Sequence, residues 1–493
     1  MKVDLAARIE TLGRVDPTRP FLVREDGRVL DYGALLAETQ RMAAALAALG
    51  VTPGDRVAAQ IEKSPEALLL WFGCLWMGAV YMPLNTGYTP AEIAYFINDA
   101  EPALVIVDPG VAPPEGVKTE TLGTKGDGSL ITAMPAHATV PRAELDDEAL
   151  AAMLYTSGTT GKPKGAMIPR RALFTNAATL AQAWRFTQAD VLLHALPVFH
   201  VHGLFVATNT IVAAGASMRF HAKFDAATVL ADLPNATVLM GVPTFYTRLL
   251  QYPDLLARAA GGIRLFVSGS APLLAETHQA FAALTGHAIL ERYGMTETQI
   301  NSSHLYEGPR TPGTVGPPLP GINIRVTDPA SGAALPEGET GMLEVHGPNL
   351  FAGYWRNPAK TAEDMRPDGY FITGDLGRID ENGHVVIVGR GKDLIISGGL
   401  NIYPKEVESE INLIDGVIES AVIGVPHPDF GEAVVAVVTV TDATAASIAT
   451  GLDGKLARFK QPKAVEIVAE LPRNTMGKVQ KNLLRDQYRS RFS

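Results

Sequence analysis

The sequence has few of the features that mark exported proteins. Cys74 is its one cysteine, so no disulfide can form within the chain, and it lies in an apolar run typical of a buried, inert thiol. The first ten residues, MKVDLAARIE, carry early acidic side chains and lack the hydrophobic region of a signal peptide. We therefore expect a protein that works in the reducing cytoplasm.

Positive charge is also scarce. The 493 residues contain 42 basic and 52 acidic side chains, a net charge of −10, and no long run of Lys or Arg. Nucleic acid is therefore not expected as a partner. One uncharged stretch, residues 67–84, reaches the minimum length of a membrane span, but Gly73 and Gly78 interrupt it and Pro83 lies near its end. A buried helix followed by a buried strand is the expected structure, with no membrane partner.

The length of the chain predicts more than one domain. From residue 154 to 297, short apolar runs alternate with small-residue turns and amphipathic helices, which predicts one parallel sheet with helical crossovers. Residues 21–109 repeat this pattern and predict a second layered sheet. In such folds, ligands collect at the carboxyl ends of the strands.

The last third of the chain has a different character. After residue 313, short β-branched runs predict a small antiparallel β unit, and from residue 393 a compact α+β domain is expected, with one helix ending in LARFK. Gly391 supplies backbone freedom at the boundary. The fold class is thus α/β: a large domain (1–391) of layered, mostly parallel sheets with a small β unit, and a small mobile α+β domain (392–493).

The most informative segment is TSGTTGKPKG, residues 156–165. Its glycines expose backbone N–H groups, and its hydroxyls and lysines add donors and positive charge, which suits a polyphosphate. It is not a Walker A loop, because Gly158 and Gly161 enclose only two residues and Pro163 follows the first lysine. From composition alone, a solvated surface turn is equally consistent with this segment.

The complete string resembles the phosphate loop of the adenylate-forming superfamily, which includes acyl-CoA synthetases, firefly luciferase and nonribosomal peptide adenylation enzymes. The resemblance implies ATP, Mg²⁺ and coenzyme A as ligands, with coenzyme A as a co-substrate. It assigns to the nucleotide the residues Thr156, Ser157, Gly158, Thr159, Thr160, Gly161 and Lys162.

A second motif, YGMTE, follows the apolar run AILER. A lone loop carboxylate is ordinarily a solvated acid, but beside a phosphate loop Glu297 becomes a candidate Mg²⁺ ligand. The resemblance implies that Tyr293 lies against adenine and that Glu297 acts on the metal together with Thr156. It adds three residues to the nucleotide site: Ser270, Gly294 and Thr296.

Three further motifs occur in the order the superfamily has them. A turn aspartate is the ordinary explanation of Asp375, but the resemblance assigns Asp375 and Arg390 to the ribose hydroxyls. It makes Lys478 the catalytic lysine of adenylation and Lys392 the hinge between domains. The segment that would line the path of the coenzyme A thiol comprises Ser397, Gly398 and Gly399. An exposed lysine near glycine is also a common acylation target, so a lysine acetyltransferase or deacetylase acting on Lys478 is a further hypothesis.

The acid substrate depends on the residue before the YGMTE motif, Arg292, where general acyl-CoA synthetases usually have glycine. A guanidinium is costly beside a fatty chain but forms a bidentate pair with a second carboxylate. His202 opens a predicted helix toward the same pocket; a structural histidine and a substrate contact are equally consistent with it. Four segments resemble the malonyl-CoA synthetases of this superfamily: ALPVFHVHGLFVATN, LMGVPTFYTRLL, RLFVSGSAPLLAETH and ILERYGMTET. The resemblance implies that Arg292, His202 and Ser268 contact the acid.

The predicted function is an AMP-forming acid–CoA ligase that converts malonate, and secondarily methylmalonate, to the CoA thioester through an acyl-adenylate, releasing AMP and pyrophosphate. An acyl-CoA synthetase for another short acid, a carrier-protein adenylation enzyme, a luciferase-like oxidative enzyme and a non-catalytic binding module are the alternatives. The sequence does not distinguish a monomer from a dimer.

Overall fold

The computed structural model describes residues 4–156, 163–397, 400–474 and 477–492. Ser157, Gly158, Thr159, Thr160, Gly161, Lys162, Gly398 and Gly399, all assigned above to nucleotide or coenzyme A, lie outside the described residues. The elements up to residue 133 are α1 (Leu5–Val15), β1 (Pro20–Arg24), β2 (Val29–Asp31), α2 (Tyr32–Ala48), β3 (Arg56–Gln60), α3 (Pro65–Met77), β4 (Val80–Pro83), α4 (Pro90–Ala100), β5 (Leu104–Val107), β6 (Thr119–Thr121) and α5 (Ser129–Ala133).

The middle of the chain alternates short strands with helices. Its elements are β7 (Leu150–Thr156), β8 (Lys164–Pro169), α6 (Arg170–Ala183), β9 (Val191–His194), a π-helix (His202–Asn209), α7 (Thr210–Ala214), β10 (Ser217–Phe220), α8 (Ala226–Asp232), a 3-10 turn (Leu233–Asn235), β11 (Val238–Gly241), α9 (Pro243–Leu249), α10 (Pro253–Ala259), a second 3-10 turn (Ala260–Gly262), β12 (Leu265–Ser268), α11 (Ala275–Thr285), β13 (Leu290–Met295) and β14 (Gln299–Ser303).

The remaining part is richer in strands. Its elements are β15 (Asn323–Thr327), β16 (Gly341–His346), β17 (Gly353–Tyr354), α12 (Pro358–Asp364), β18 (Phe371–Ile379), β19 (Val385–Arg390), a 3-10 turn (Gly391–Asp393), β20 (Ile395–Ser397), β21 (Leu400–Ile402), α13 (Pro404–Asn412), β22 (Val417–His427), β23 (Gly431–Val440), α14 (Ala445–Gly451), β24 (Ala464–Ile467) and α15 (Lys481–Tyr488).

The uncharged stretch forms α3 followed by β4, as predicted. The Ser64 hydroxyl caps the helix by accepting from the Ala67 N–H at 3.0 Å, and Pro65 occupies the first turn. Gly78, at φ 83°, ends the helix in the left-handed conformation that favours glycine. Every residue of α3 is buried against the core. Within the described ranges, no helix combines the length and the apolar character that a bilayer crossing requires.

An eight-stranded sheet has the order β14-β13-β12-β11-β9-β10-β1-β2. From β13 to β1 the neighbouring strands pair in parallel, for example Val238 with Leu265 and Ser268 with Glu291. Their apolar residues are buried on both faces, as parallel sheets require. The carboxyl ends of β9, β11, β12 and β13 therefore meet at one edge, where the acid-site candidates lie.

A seven-stranded sheet has the order β17-β8-β7-β4-β3-β5-β6. The prediction that the strand at residue 154 belongs to the sheet of residues 191–295 is wrong, because β7 pairs in parallel with β4 and forms a hairpin with β8. The prediction that the strand at residue 21 belongs to the second sheet is also wrong, since β1 pairs with β10. Both errors concern partners distant in sequence, which local periodicity does not encode.

The described residues fall into two compact units, Met1–Ile324 with Val345–Phe371 and Arg325–Glu344 with Ile372–Ser493. The sequence-based boundary at residues 391 and 392 stays a prediction. In the second unit, β21-β20-β23-β22 and β24 form a sheet with buried residues on both faces. The helix predicted to end in LARFK is wrong in length: α14 ends at Gly451, and residues 452–460 form turns that include the positive-φ Gly454.

Candidate active site

The predicted acid contacts lie together at the carboxyl edge of the eight-stranded sheet. Ser268 is the last residue of β12, Arg292 lies in β13, and Ser270 follows two residues after β12. His202 begins the π-helix that comes after β9. π-Helical segments are rare in proteins, and those that do occur are often found at functional sites. This edge of the sheet is therefore a candidate binding site.

Arg292 is a buried cation without an acidic partner in the described part of the chain. Its side chain is 5% exposed, Nη2 donates to Ser270 Oγ at 3.2 Å, and Nε has no hydrogen-bond partner among the described residues. Burial lowers the pKa of Arg292 to about 9, so the guanidinium remains charged at pH 7. A buried and unpaired charge is costly, which indicates that an anion completes this site.

Gly269 makes room for the Arg292 side chain. A Cβ at this position would lie 2.4 Å from both Cζ and Nε of Arg292, which is too close for any carbon contact. The next residue, Ser270, has φ 72°, an unusual conformation for a residue with a side chain. The turn after β12 therefore has a specific backbone shape that places the Ser270 hydroxyl against the guanidinium.

His202 contributes a neutral imidazole to the same cluster. The ring is 2% exposed, Nδ1 lies 3.3 Å from Ser270 Oγ, and Nε2 has no partner among the residues described. Burial first, and then the Arg292 charge, hold the pKa of His202 well below its usual range. The buried Ser268 hydroxyl is likewise without a hydrogen-bond partner in the described ranges. Two polar groups next to a cation are therefore available to a ligand.

The nucleotide motif forms a hairpin rather than a free loop. Tyr293 and Gly294 belong to β13, which pairs antiparallel with β14, and Thr296 lies in the connecting turn, where its carbonyl accepts from the Gln299 side chain at 3.0 Å. A Cβ on Gly294 would approach the Gln299 carbonyl oxygen to 1.9 Å, so only glycine fits. Tyr293 is buried, with 9% of its surface exposed.

The structure brings Thr156 and Glu297 together. The Thr156 hydroxyl donates to Glu297 Oε1 at 3.2 Å, and the Tyr354 hydroxyl donates to the same oxygen at 3.2 Å. Lys164 Nζ lies 4.9 Å from the centre of the Tyr354 ring. Burial, followed by the charge of Glu297, raises the pKa of the Tyr354 phenol, which keeps it a hydrogen-bond donor. Mg²⁺ prefers oxygen ligands such as carboxylates, so the side chains of Glu297 and Thr156 fit such an ion.

Sequence reasoning missed Tyr354. It reaches Glu297 because β17 pairs antiparallel with β8, with Tyr354 opposite Ala166. These residues are far apart in the sequence, and no local pattern marks the pairing. The flanks of the phosphate loop are also fixed by side chains that the motif does not contain: Tyr155 donates to Asp99 at 2.6 Å, and Tyr95 donates to the Pro163 carbonyl at 2.9 Å.

In the second unit, the two predicted ribose residues form an ion pair. Asp375 and Arg390 lie opposite each other on β18 and β19, with Arg390 Nε 2.9 Å from Asp375 Oδ1. The Thr373 hydroxyl accepts from the Asp375 backbone N–H at 3.0 Å. Asp375 is buried and Arg390 is partly exposed. The pair presents a carboxylate and a guanidinium side by side.

The remaining predicted residues of the second unit lie on turns and strand ends. Lys478 is exposed, and its backbone N–H donates to Asn474 Oδ1 at 3.0 Å in a tight turn. Lys392 is exposed in the short 3-10 turn Gly391–Asp393. Ser397 is buried at the end of β20, opposite Leu400 and Gly431.

Known protein families match most of this chain, including the phosphate loop and the YGMTE motif. Residues 9–355 match the AMP-binding enzyme family, and residues 406–478 match the AMP-binding enzyme C-terminal domain. This chain belongs to the AMP-binding enzyme family. The α/β fold of mixed sheets and helices matches the large and small domains of acyl-CoA synthetases, so the predicted fold class is confirmed.

Three similar proteins narrow the class of reaction. The sulfoacetate–CoA ligase of Cupriavidus necator is 34% identical over 97% of this chain and 96% of its own length. The malonate–CoA ligase of Arabidopsis thaliana is 32% identical over 94% and 85%. The ATP-bound structure of MatB from Rhodopseudomonas palustris is 53% identical, covers 100% of both chains and has a TM-score of 0.97.

The AMP-binding chain described here is therefore an enzyme of the ligase class, an ATP-dependent acyl-CoA ligase. ATP and coenzyme A fit this family as substrates. The predicted ligase activity is confirmed at this level, and the oxidative and non-catalytic alternatives lose their support. The identity of the acid is a separate question, because the two relatives act on different acids.

Proposed function

We propose that this ligase converts malonate to malonyl-CoA and accepts methylmalonate as a second substrate. The observation that carries the proposal is Arg292: a buried guanidinium, 5% exposed, that donates to the Ser270 hydroxyl and has no acidic partner among the described residues. A second carboxylate on the substrate would pair with it bidentately. The malonate–CoA ligase among the relatives supports the same assignment.

Discrimination against monocarboxylates follows from the same residue. A monocarboxylic acid would occupy the pocket and leave Arg292 buried and unpaired. Its kcat/KM should therefore be lower than that of the dicarboxylate by a factor on the order of 10² to 10⁴. His202 Nε2 and Ser268 Oγ, which have no hydrogen-bond partner in the described part of the chain, would contact the same carboxylate. The neutral state of His202 allows one of its nitrogens to donate without adding a second charge.

The proposed reaction has two steps. A malonate carboxylate oxygen attacks the α-phosphorus of ATP and pyrophosphate leaves; the coenzyme A thiol then attacks the acyl carbonyl of malonyl-AMP and AMP leaves. Glu297 and Thr156 would hold Mg²⁺, which when bound offsets the charge of the phosphate oxygens. Lys478 would stabilise the charge that develops at the α-phosphate, an effect of roughly 3 kcal/mol. Tyr293, Gly294, Thr296 and Ser270 would hold the nucleotide, with Asp375 and Arg390 on its ribose.

We also propose that the chain works as two domains, 1–391 and 392–493, joined at Lys392. Lys478 serves the first step and the segment beginning at Ser397 serves the second, so the small domain must turn between them. Acetylation of Lys478 would then block the first step by removing its charge. A mass-spectrometric survey of the purified protein that finds this lysine unmodified under all growth conditions would contradict the regulatory part.

A sulfonate is the alternative partner for Arg292. It carries the same charge at the same end of a short acid, and a sulfoacetate–CoA ligase is among the similar proteins. Malonate is favoured because the planar carboxylate matches the two parallel N–H groups of a guanidinium.

The test is pyrophosphate release by the purified full-length enzyme with a panel of C2 to C5 mono- and dicarboxylic acids and sulfoacetate. Coenzyme A consumption is measured in parallel, because a carrier-protein adenylation enzyme would release pyrophosphate without consuming coenzyme A. We expect malonate to give the highest kcat/KM and methylmalonate the second highest. A preference for propionate, butyrate or sulfoacetate would refute the malonate assignment and leave the general ligase activity intact.

A further inference from the structure

A buried amine contacts the end of β9, and no motif accounts for it. Lys63, in the connection between β3 and α3, is 8% exposed. Its Nζ donates to the His194 carbonyl at 2.8 Å, lies 3.0 Å from His194 Nδ1 and sits 4.4 Å from the centre of the Phe220 ring. No carboxylate of the described residues forms an ion pair with it. Lys63 therefore joins the seven-stranded sheet to the end of β9 in the eight-stranded sheet.

The contacts of His194 determine its tautomer. Nδ1 faces the amine of Lys63, and Nε2 lies 2.9 Å from the Gly203 carbonyl oxygen, which can only accept. Lys63 has enough N–H groups to donate to both of its partners, so Nδ1 is the acceptor and Nε2 carries the hydrogen. Burial, followed by the neighbouring Lys63 amine, holds the pKa of His194 well below its usual range, which agrees with a neutral ring; burial also lowers the pKa of Lys63.

The His194 hydrogen bond ends on the element that carries His202. Gly203 lies in the first turn of the π-helix, and its carbonyl also accepts from the Thr208 hydroxyl at 2.9 Å. A Cβ on Gly203 would lie 2.1 Å from the Pro197 carbonyl oxygen, so the start of this helix is closely packed. A polar chain thus runs from Lys63 through His194 to Gly203, and continues from the neighbouring His202 through Ser270 to Arg292.

We propose that Lys63 and His194 are positioning residues for the acid end of the active site. Lys63 fixes the orientation of the His194 ring, His194 fixes the Gly203 carbonyl, and this contact fixes where the His202 imidazole meets Ser270 and Arg292. The inference rests on the proposed function, because it assigns the pair to recognition of the far carboxylate. An apolar side chain at residue 63 would avoid the free-energy cost of burying an amine. In our proposal, the amine is retained because it fixes the position of the His202 imidazole.

The kinetic test compares Lys63→Met with Lys118→Met, which removes an amine that donates to the Leu49 carbonyl near the surface. We expect Lys63→Met to raise the malonate KM about 10- to 100-fold while kcat and the ATP KM change less than about 3-fold, because the loss falls on acid binding. Lys118→Met should match the wild type. Equal malonate KM values for Lys63→Met and the wild type would overturn the proposal.

Two substitutions of His194 separate positioning from general packing. A glutamine amide reaches the place of Nε2 and can still donate to Gly203, whereas the shorter asparagine amide reaches only the place of Nδ1. Glutamine keeps the Gly203 contact but loses the Lys63 contact, so we expect His194→Gln to raise the malonate KM less than His194→Asn, which should raise it about 10-fold or more. The reverse order, or equal effects, would contradict the proposed role of the Gly203 contact.

A spectroscopic measurement tests the pair independently of any substrate. In the full-length protein labelled with ¹⁵N-histidine, we expect a neutral ring with a protonated Nε2 for His194, and a shifted His202 signal in Lys63→Met but not in Lys118→Met. An unchanged His202 signal would refute the positioning role even if malonate is the substrate. If malonate is not used by the wild type, the proposed function fails, and this measurement still decides whether Lys63 controls His202.

Discussion

At the scale of single residues, the acid site depends on a charge that the described protein groups do not neutralise. Arg292 could be predicted as a binding residue because it stands directly before the YGMTE motif, where the related general acyl-CoA synthetases usually have glycine. Its neighbours could not. Gly269 and Ser270 look like ordinary turn residues until the structure places the guanidinium 2.4 Å from an ideal Cβ at residue 269. Lys63 and Tyr354 reach the site through contacts with residues that are distant in the sequence.

Gly269→Ala tests the packing around the guanidinium. The new methyl group would overlap Cζ and Nε of Arg292 and displace the side chain from the Ser270 hydroxyl, so we expect the malonate KM to rise about 10-fold or more with ATP binding retained. Gly261→Ala is the matched control, because a Cβ there meets no atom within 4 Å. Steady-state kinetics with each substrate varied in turn provide the measurement. A malonate KM that is the same in both variants would contradict the assigned packing.

At the scale of elements, local chemistry predicts what a segment forms better than what it pairs with. The cap at Ser64 and the stop at Gly78 make the helix-to-strand transition at residues 65–83 readable from the sequence. The sequence does not predict which sheet β1 and β7 join, because their partners, β10 and β4, lie far from them along the chain. The apolar run before YGMTE predicts a strand that ends in a loop, yet β13 continues into the motif and pairs with β14 as a hairpin.

The β13–β14 hairpin gives a second prediction. In Gly294→Ala the methyl group would lie 1.9 Å from the Gln299 carbonyl oxygen, so the hairpin must open. Since this hairpin carries Tyr293 and Glu297, we expect ATP affinity to fall about 10-fold or more and thermal stability to fall as well. Isothermal titration calorimetry with ATP is the measurement, with Gly110→Ala as the control at an open position. Wild-type ATP affinity in Gly294→Ala would show that the hairpin does not carry the nucleotide site.

At the scale of the whole molecule, the length of the chain predicts more than one domain, and the second unit has its own buried clusters on both faces of its sheet. The units are not continuous in sequence, because residues 325–344 group with the C-terminal part. A boundary drawn along a sequence assigns each residue by position, whereas a compact unit is defined by packing. The boundary at residue 391 therefore describes where we propose that the small domain rotates, and it does not describe the limits of the two compact units.

Lys392→Pro tests the proposed movement. Proline fixes φ near −65° and removes a backbone donor, which restricts rotation at this residue. We expect malonate-dependent exchange between pyrophosphate and ATP, which reports the first step, to stay within about 3-fold of the wild type. Malonyl-CoA formation should fall about 100-fold or more, since the second step requires the turn. Lys392→Ala should preserve both. Loss of both steps together, or of neither, would contradict a hinge at residue 392.

The central claim is that the buried Arg292 guanidinium recognises the second carboxylate of the substrate, and Arg292→Met tests it most directly. The measurement is kcat/KM for malonate and for propionate in the wild type, in Arg292→Met and in the exposed control Arg258→Met, with ATP affinity determined by calorimetry. We predict that Arg292→Met lowers kcat/KM for malonate at least about 100-fold, equivalent to about 3 kcal/mol, without lowering it for propionate or weakening ATP binding. Unchanged malonate kinetics in Arg292→Met would contradict the account.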